Sequence, residues 1–287
     1  MLIGYDYDIG KRFPDILPTT KRPYRYHFVD GYYKSDSIAN GKGINRGRTF
    51  KKFYDELCQH IFDHNLNMVE DKNIGKFPIF YSERSNAASL AIALSFLTPY
   101  VISEYNVNCK DMPLRENEEE ERIKIHRNID FWCCIDNKDI TDVWIESKRL
   151  VLNVGRRSVG KWKFSDNQQK KIKDAIEQIK DIEIFRQTGK IDSFDNYKLA
   201  LFSVNAYCKR SECVDDLSKL DNIPNEIAKL LDKNVREILG AESNFGILVS
   251  ALDLRPSINE YEDKRDIYHH YSGEYMPFIL LCGVVVV

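Results

Sequence analysis

Residues 129–148 read IDFWCCIDNKDITDVWIESK, two short apolar runs around a polar turn at Asp136, Asn137, Lys138 and Asp139. That pattern predicts a β-hairpin with strands over 129–135 and 142–150. Side chains on a strand alternate between faces, so Asp142, Trp144, Glu146 and Lys148 share one face and Val143, Ile145 and Ser147 the other. On the first strand Asp130, Trp132 and Cys134 fall together, opposite Ile129, Phe131, Cys133 and Ile135. Pairing the strands brings Asp130 beside Glu146 and Lys148.

Two carboxylates and an amine on one face suit a hard divalent cation such as magnesium. Magnesium takes oxygen ligands, keeps several waters and is commonly held by one or two carboxylates with substrate phosphate oxygens. The lysine then positions or deprotonates a water, or stabilises charge growing on the phosphate. Glu and Lys are common residues at short spacing, so Glu146-Ser147-Lys148 alone also fits an ordinary hairpin whose polar face meets water. The flanking segments decide between the two.

Those segments follow an order that resembles the PD-(D/E)xK, or restriction-endonuclease-like, nucleases. That family's core runs helix, three strands, helix, strand, with an acid on the second strand and ExK on the third. The matching segments here are a helix over 87–104, a strand over 122–126, Asp130 on the second strand and Glu146 and Lys148 on the third. A helix from Asp166 and a strand over 197–206 follow. The resemblance covers residues 85–206 and implies an α/β fold with a restriction-endonuclease-like core, extended by an N-terminal helix and further C-terminal strands. It implies a DNA endonuclease using magnesium, with manganese as a substitute, in which Asp130 and Glu146 bind the metal and Lys148 activates water. Glu104 matches the carboxylate that such proteins often carry on the first helix, and Gln168, Gln169 and Lys170 the Gln or basic residue on the second. RNA remains open as a substrate, and a homodimer is compatible with the resemblance. Three features depart from the pattern: Asn128 and Ile129 stand where a Pro often precedes the acid, Ser147 replaces an apolar residue, and Pro99 interrupts the first helix.

At 287 residues the chain is long enough to bury a substantial core, as one large domain or two small ones. The reading divides it into an arm and helix over 1–84, packed on the rest, and an α/β domain over 85–287, with no linker that cuts the chain cleanly. A net charge of −2 excludes affinity for nucleic acid through overall basicity, so any such affinity is local. Seven cysteines with no CxxC pair favour reduced thiols and a cytoplasmic setting. The start MLIGYDYDIGKR lacks the apolar core of a secretory signal, and the longest apolar run, Met276 to Val287, is too short for a membrane helix.

The local basic patch lies directly after the hairpin. From Lys148 to Lys173 there are nine Lys or Arg against one acid, Asp166, which makes Arg149, Arg156, Arg157, Lys161, Lys163 and Lys170, with Gln168, the candidate contacts to a phosphate backbone. Within it GRRSVGKW, 155–162, nearly spells a phosphate loop, but Trp162 stands where Ser or Thr meets magnesium and the helix begins only near Asp166. A P-loop NTPase is therefore the weaker alternative, and a nuclease-like protein that binds nucleic acid or a protein without cutting is the stronger one.

Elsewhere the reading predicts an aromatic, basic arm over 1–45, irregular or a small hairpin. A helix capped by Thr49 carries Phe50, Phe53, Tyr54, Leu57 and Ile61 as its stripe, and its His60 and His64 lack partners for a zinc site. Residues 85–96 form a helix apolar nearly all round. Ser165 and Gln168 form a capping box before a stripe of Ile172, Ala175, Ile176, Ile179 and Ile182. A helix over 224–239 ending at Gly240 and strands over 245–252 and 276–287 complete the chain. The acidic run 116–121 reads as a solvated loop and His269 and His270 as structural.

Overall fold

The computed structural model describes residues 2–5, 25–30, 47–70, 77–108, 126–135, 141–180, 182, 195–240, 243, 245–255 and 274–286. The fold is mixed α/β. Among the described residues eight strands form one sheet: β1 (Leu2–Tyr5), β2 (Arg25–Asp30), β3 (Val101–Asn108), β4 (His126–Ile135), β5 (Thr141–Asn153), β6 (Asp195–Lys209), β7 (Phe245–Asp253) and β8 (Glu274–Val286). Their spatial order is β1-β2-β7-β8-β6-β5-β4-β3. Neighbours are antiparallel throughout except β5 and β6, which run parallel. A parallel pair needs a crossover, and the helix over 166–180 lies between these two strands in the chain.

Helices cover both faces. On one side α1 (Gly47–Glu70) and α2 (Glu83–Leu97) bury Phe50, Leu57, Leu90 and Leu94 against Val143, Ile145, Leu199 and Leu281. On the other, α3 (Asp166–Lys180) and α4 (Ile223–Leu239) bury Ile172, Ile176, Ile227 and Leu231 against Leu150, Phe202 and Leu280. The stripes read from the sequence on α1 and α3 are the faces that pack, as a 3.6-residue period requires. Alternation also holds along β5: Val143 and Ile145 enter the first cluster, Trp144, Leu150 and Leu152 the second. Among the described residues, no helix is long and apolar enough to cross a membrane.

From α2 onward the elements run helix, three strands, helix, strand. Two of them differ in extent from the sequence reading. The helix expected over 87–104 ends at Leu97, because the residue before a proline disfavours the helical conformation and Thr98, before Pro99, is extended at φ −155° and ψ 145°. The first of the three strands is then β3, where Val101, Ile102 and Tyr105 supply the β-branched and aromatic residues that suit a pleated surface. The strand expected over 122–126 falls mostly outside the described residues, and His126 opens β4. Glu104 therefore lies on a strand and not on a helix.

Smaller differences have local causes. The arm contributes β1 and β2, an antiparallel pair joined to β7, so residues before the first helix belong to the same sheet as β5. Helix α1 begins at Gly47, two residues before the expected cap. Helix α4 ends where expected, with Gly240 at φ 96° donating its N–H to the Arg236 carbonyl. The acidic run 116–121, His269, His270 and Cys109 lie outside the described residues.

Candidate functional site

The β4–β5 ladder stops short of the strand ends, and the site lies where it stops. Pairing runs from Ile135↔Thr141 to Phe131↔Ile145 and no further. The next amide on β5, that of Ser147, donates instead to the Asp130 carboxylate at 2.7 Å. An amide released from a ladder needs an acceptor, and Asp130 supplies it. Alternation on β4 also breaks here. Ile129 packs on the α3 side and Phe131 on the α2 side, so these two do not share a face as strict alternation predicts. Across from this break, the register Ser103↔Phe131 and Tyr105↔Ile129 sets Glu104 opposite Asp130, and Glu104 has a left-handed backbone with φ 53°. That conformation is uncommon for a residue with a side chain.

Glu146 lies on the α3 face of β5 and is 2 % exposed. One carboxylate oxygen, Oε1, forms an ion pair with the Lys148 ammonium. The other, Oε2, is buried without a hydrogen-bond partner. Burial and the adjacent Asp130 charge push the Glu146 carboxyl above its ordinary value, against the pull of Lys148 and of the nearby Asp130 backbone amide. For Lys148, burial lowers the ammonium pKa, but the bond and charge of Glu146, with Asp130 and Glu83 behind it, outweigh burial and raise it. Lys148 is thus a cation at neutral pH, suited to donate a hydrogen bond and place charge, and not to take a proton from water.

A further carboxylate whose charge reaches Lys148 comes from the helix before the strands, and it is Glu83. Ser82 caps α2 by accepting the Ser85 amide at 3.1 Å, which places Glu83 in the first turn, a position that suits an acid. Glu83 accepts from Lys171 Nζ at 2.6 Å and from the Arg149 amide at 3.3 Å. Burial acts against its charge, yet the Lys171 bond, the Arg149 amide and the charges of Lys171 and Lys148 hold its carboxyl below the ordinary range. The serine before a Glu, with a second serine three residues on, is a capping signal in the sequence; the reading that started the helix at 85 or 87 passed over it. Glu104, the expected helix carboxylate, is exposed on the outermost strand β3.

The basic residues divide into two groups. Arg149 turns inward, where its guanidinium donates to the Phe80 carbonyl at 3.0 Å. Gln168 is buried, and its side-chain oxygen accepts the Val151 amide at 3.1 Å, tying α3 to β5 where a capping box had been expected. Lys171, not singled out from the sequence, bridges from α3 to Glu83 and to the Arg149 carbonyl at 3.2 Å. Arg156, Arg157, Lys161, Lys163 and Lys170 are all exposed. The first four ride on the connection from β5 to α3, whose Arg156 amide is held by the Glu212 carbonyl at 2.7 Å.

Among the described residues, no three His, Cys, Asp or Glu side chains are gathered closely enough to form a ready metal centre. What the site does hold is two carboxylates, Asp130 and Glu146, whose charges act on one another, with one oxygen of the second buried. A buried carboxylate oxygen is costly without a partner. No protein-family model matches the chain, and neither a curated protein nor a solved structure matches it.

Proposed function

We propose that this chain is a metal-dependent nuclease of the PD-(D/E)xK type, with a restriction-endonuclease-like core, that hydrolyses phosphodiester bonds in DNA. The observation that carries the reading is the unpaired Oε2 of buried Glu146, set between Asp130 and Lys148 where the β4–β5 ladder opens. The order helix, three strands, helix, strand around it supports the same reading. Asp130 and Glu146 hold the ion, and Glu83 is the helix carboxylate that extends the site in place of Glu104. A magnesium ion bound there supplies charge to the phosphate oxygens and lowers the pKa of bound water. Lys148 orients the attacking water and neutralises charge on the phosphate. Lys171 holds Glu83, and Asp130 fixes the path of β5 through the Ser147 amide.

The exposed lysines and arginines after β5 track the backbone. Replacing Arg156 and Arg157 with alanine should lower the slope of log affinity against log salt by about 2 and weaken binding uniformly across sequences. An unchanged slope would remove the loop from the interface. The raised Glu146 carboxyl sets a pH dependence as well. Manganese affinity, measured by titration at several pH values, should fall with acidity from a point above the ordinary carboxylate value of 4.5, because the protonated acid loses the charge that holds the ion. On the metal-free fold the same shift has the opposite sign: Glu146 favours folding below 4.5, and that advantage is lost as pH rises through its raised folded value.

The reading is tested by incubating the protein with supercoiled plasmid, linear duplex, single-stranded DNA and RNA, with and without magnesium or manganese. Metal-dependent cleavage of a DNA substrate is the expected result. Binding without cleavage under every condition would favour the non-catalytic alternative.

A further inference from the structure

Beside the anchor of the basic loop, two thiols face each other. Cys208 lies near the end of β6 and is buried, Cys213 follows the short turn Arg210–Glu212 and is half-buried, and their sulfurs are 3.2 Å apart. Neither is in a disulfide. A disulfide needs about 2.05 Å, so an approach of roughly 1.2 Å would join them. The turn between them is also what holds the loop. The Arg156 amide donates to the Glu212 carbonyl at 2.7 Å, and a Cβ at Gly155 would meet that same carbonyl oxygen at 3.1 Å. One strand position earlier, the Val154 amide donates to the Tyr207 carbonyl at 2.8 Å, beside the register shift between Ala206 and Cys208.

We propose that Cys208 and Cys213 are a reversible oxidation site, closed to a disulfide by hydrogen peroxide, and that closure displaces Glu212 and releases the loop bearing Arg156 and Arg157. First the Cys213 sulfur attacks one peroxide oxygen; the O–O bond breaks, leaving a sulfenic acid and one water. Then the Cys208 sulfur attacks the sulfenic sulfur, the S–S bond forms, and the hydroxyl leaves with the Cys208 proton as a second water. The two thiols lose two electrons and two protons, and the peroxide is reduced to two waters. Cys213 reacts first because it is the more accessible; burial, with the Cys213 bond and the Glu212 charge, keeps Cys208 protonated. The effect on substrate binding rests on the nuclease reading, whereas the oxidation itself does not.

The test treats the full chain with hydrogen peroxide, alkylates the remaining thiols and digests with trypsin. Lys209 and Arg210 lie between the two cysteines, so a disulfide appears as two joined peptides, two hydrogens lighter than their sum and separated by dithiothreitol. Hydrogen exchange at the Arg156 amide should become several-fold faster on oxidation, and Cys213→Ser should abolish both changes. Full alkylation of both cysteines after peroxide would overturn the site. A disulfide with unaltered Arg156 exchange would overturn its link to the loop. Faster exchange with unaltered DNA affinity would leave the oxidation site standing and count against the loop as a nucleic-acid contact.

Discussion

Glu146→Gln is expected to abolish metal-dependent cleavage, lowering the rate on the order of 10³-fold or more, while the protein stays folded. The amide keeps the shape of the side chain and removes the charge that a cation requires. Its effect on the fold is small because Glu146 is a poor contributor to stability as it stands: burial and the Asp130 charge both act against its ionised form. Losing the ion pair leaves Lys148 near Asp130 and Glu83, which still compensate it, so the side chain is not stranded. Cleavage measured beside circular dichroism and a thermal melt checks the prediction. An unfolded variant would make Glu146 structural, and a folded, fully active one would remove it from the chemistry.

Gly283→Ala should cost about 3 kcal/mol of stability or more, seen as a melting temperature lower by roughly 6 to 10 °C. Gly283 is a β8 residue under α1, and a Cβ there would meet the Tyr54 ring at 2.6 Å and the Leu199 methyl at 3.0 Å. The ring cannot move aside without loss. Tyr54 is fully buried, and its hydroxyl donates to the Leu281 carbonyl at 2.7 Å, with the Leu248 carbonyl at 3.2 Å. Moving the ring would break that bond inside the core, where a lost partner carries its full desolvation cost. Tyr54→Phe separates the two contributions, since it removes the hydroxyl and keeps the ring. A Gly283→Ala protein that melts with the wild type would show that α1 does not pack as closely as this.

The parts of this architecture that rest on period and parity were legible in the sequence. Alternation along β5 put Glu146 and Lys148 on one face, and the spacing of Ile172, Ile176 and Ile179 set the packed stripe of α3. Ends and long-range partners were not. Pro99 was visible, yet its consequence, a helix ended at Leu97 and a new strand through Glu104, depends on which conformation the following β-branched residues adopt once the sheet is there to pair with them. Glu83 meets Lys171 across 88 residues of chain, and Arg149 reaches the Phe80 carbonyl across 69. No local pattern marks an arginine as inward-facing; its run of basic neighbours suggests the reverse. Asp130 lies on β4, in the hairpin that the sequence predicts, but the amide it captures is free only because the ladder ends at Phe131↔Ile145.

The most direct test of the central claim compares the wild type with Lys148→Ala on supercoiled plasmid in magnesium, with Glu146→Gln as the metal-site control and manganese affinity measured for all three. The account predicts nicking or linearisation by the wild type alone, with manganese bound by the wild type and Lys148→Ala but not by Glu146→Gln. Equal cleavage by the wild type and both variants would contradict it, since the chemistry would then lie outside the acids and the lysine at the open end of the β4–β5 ladder.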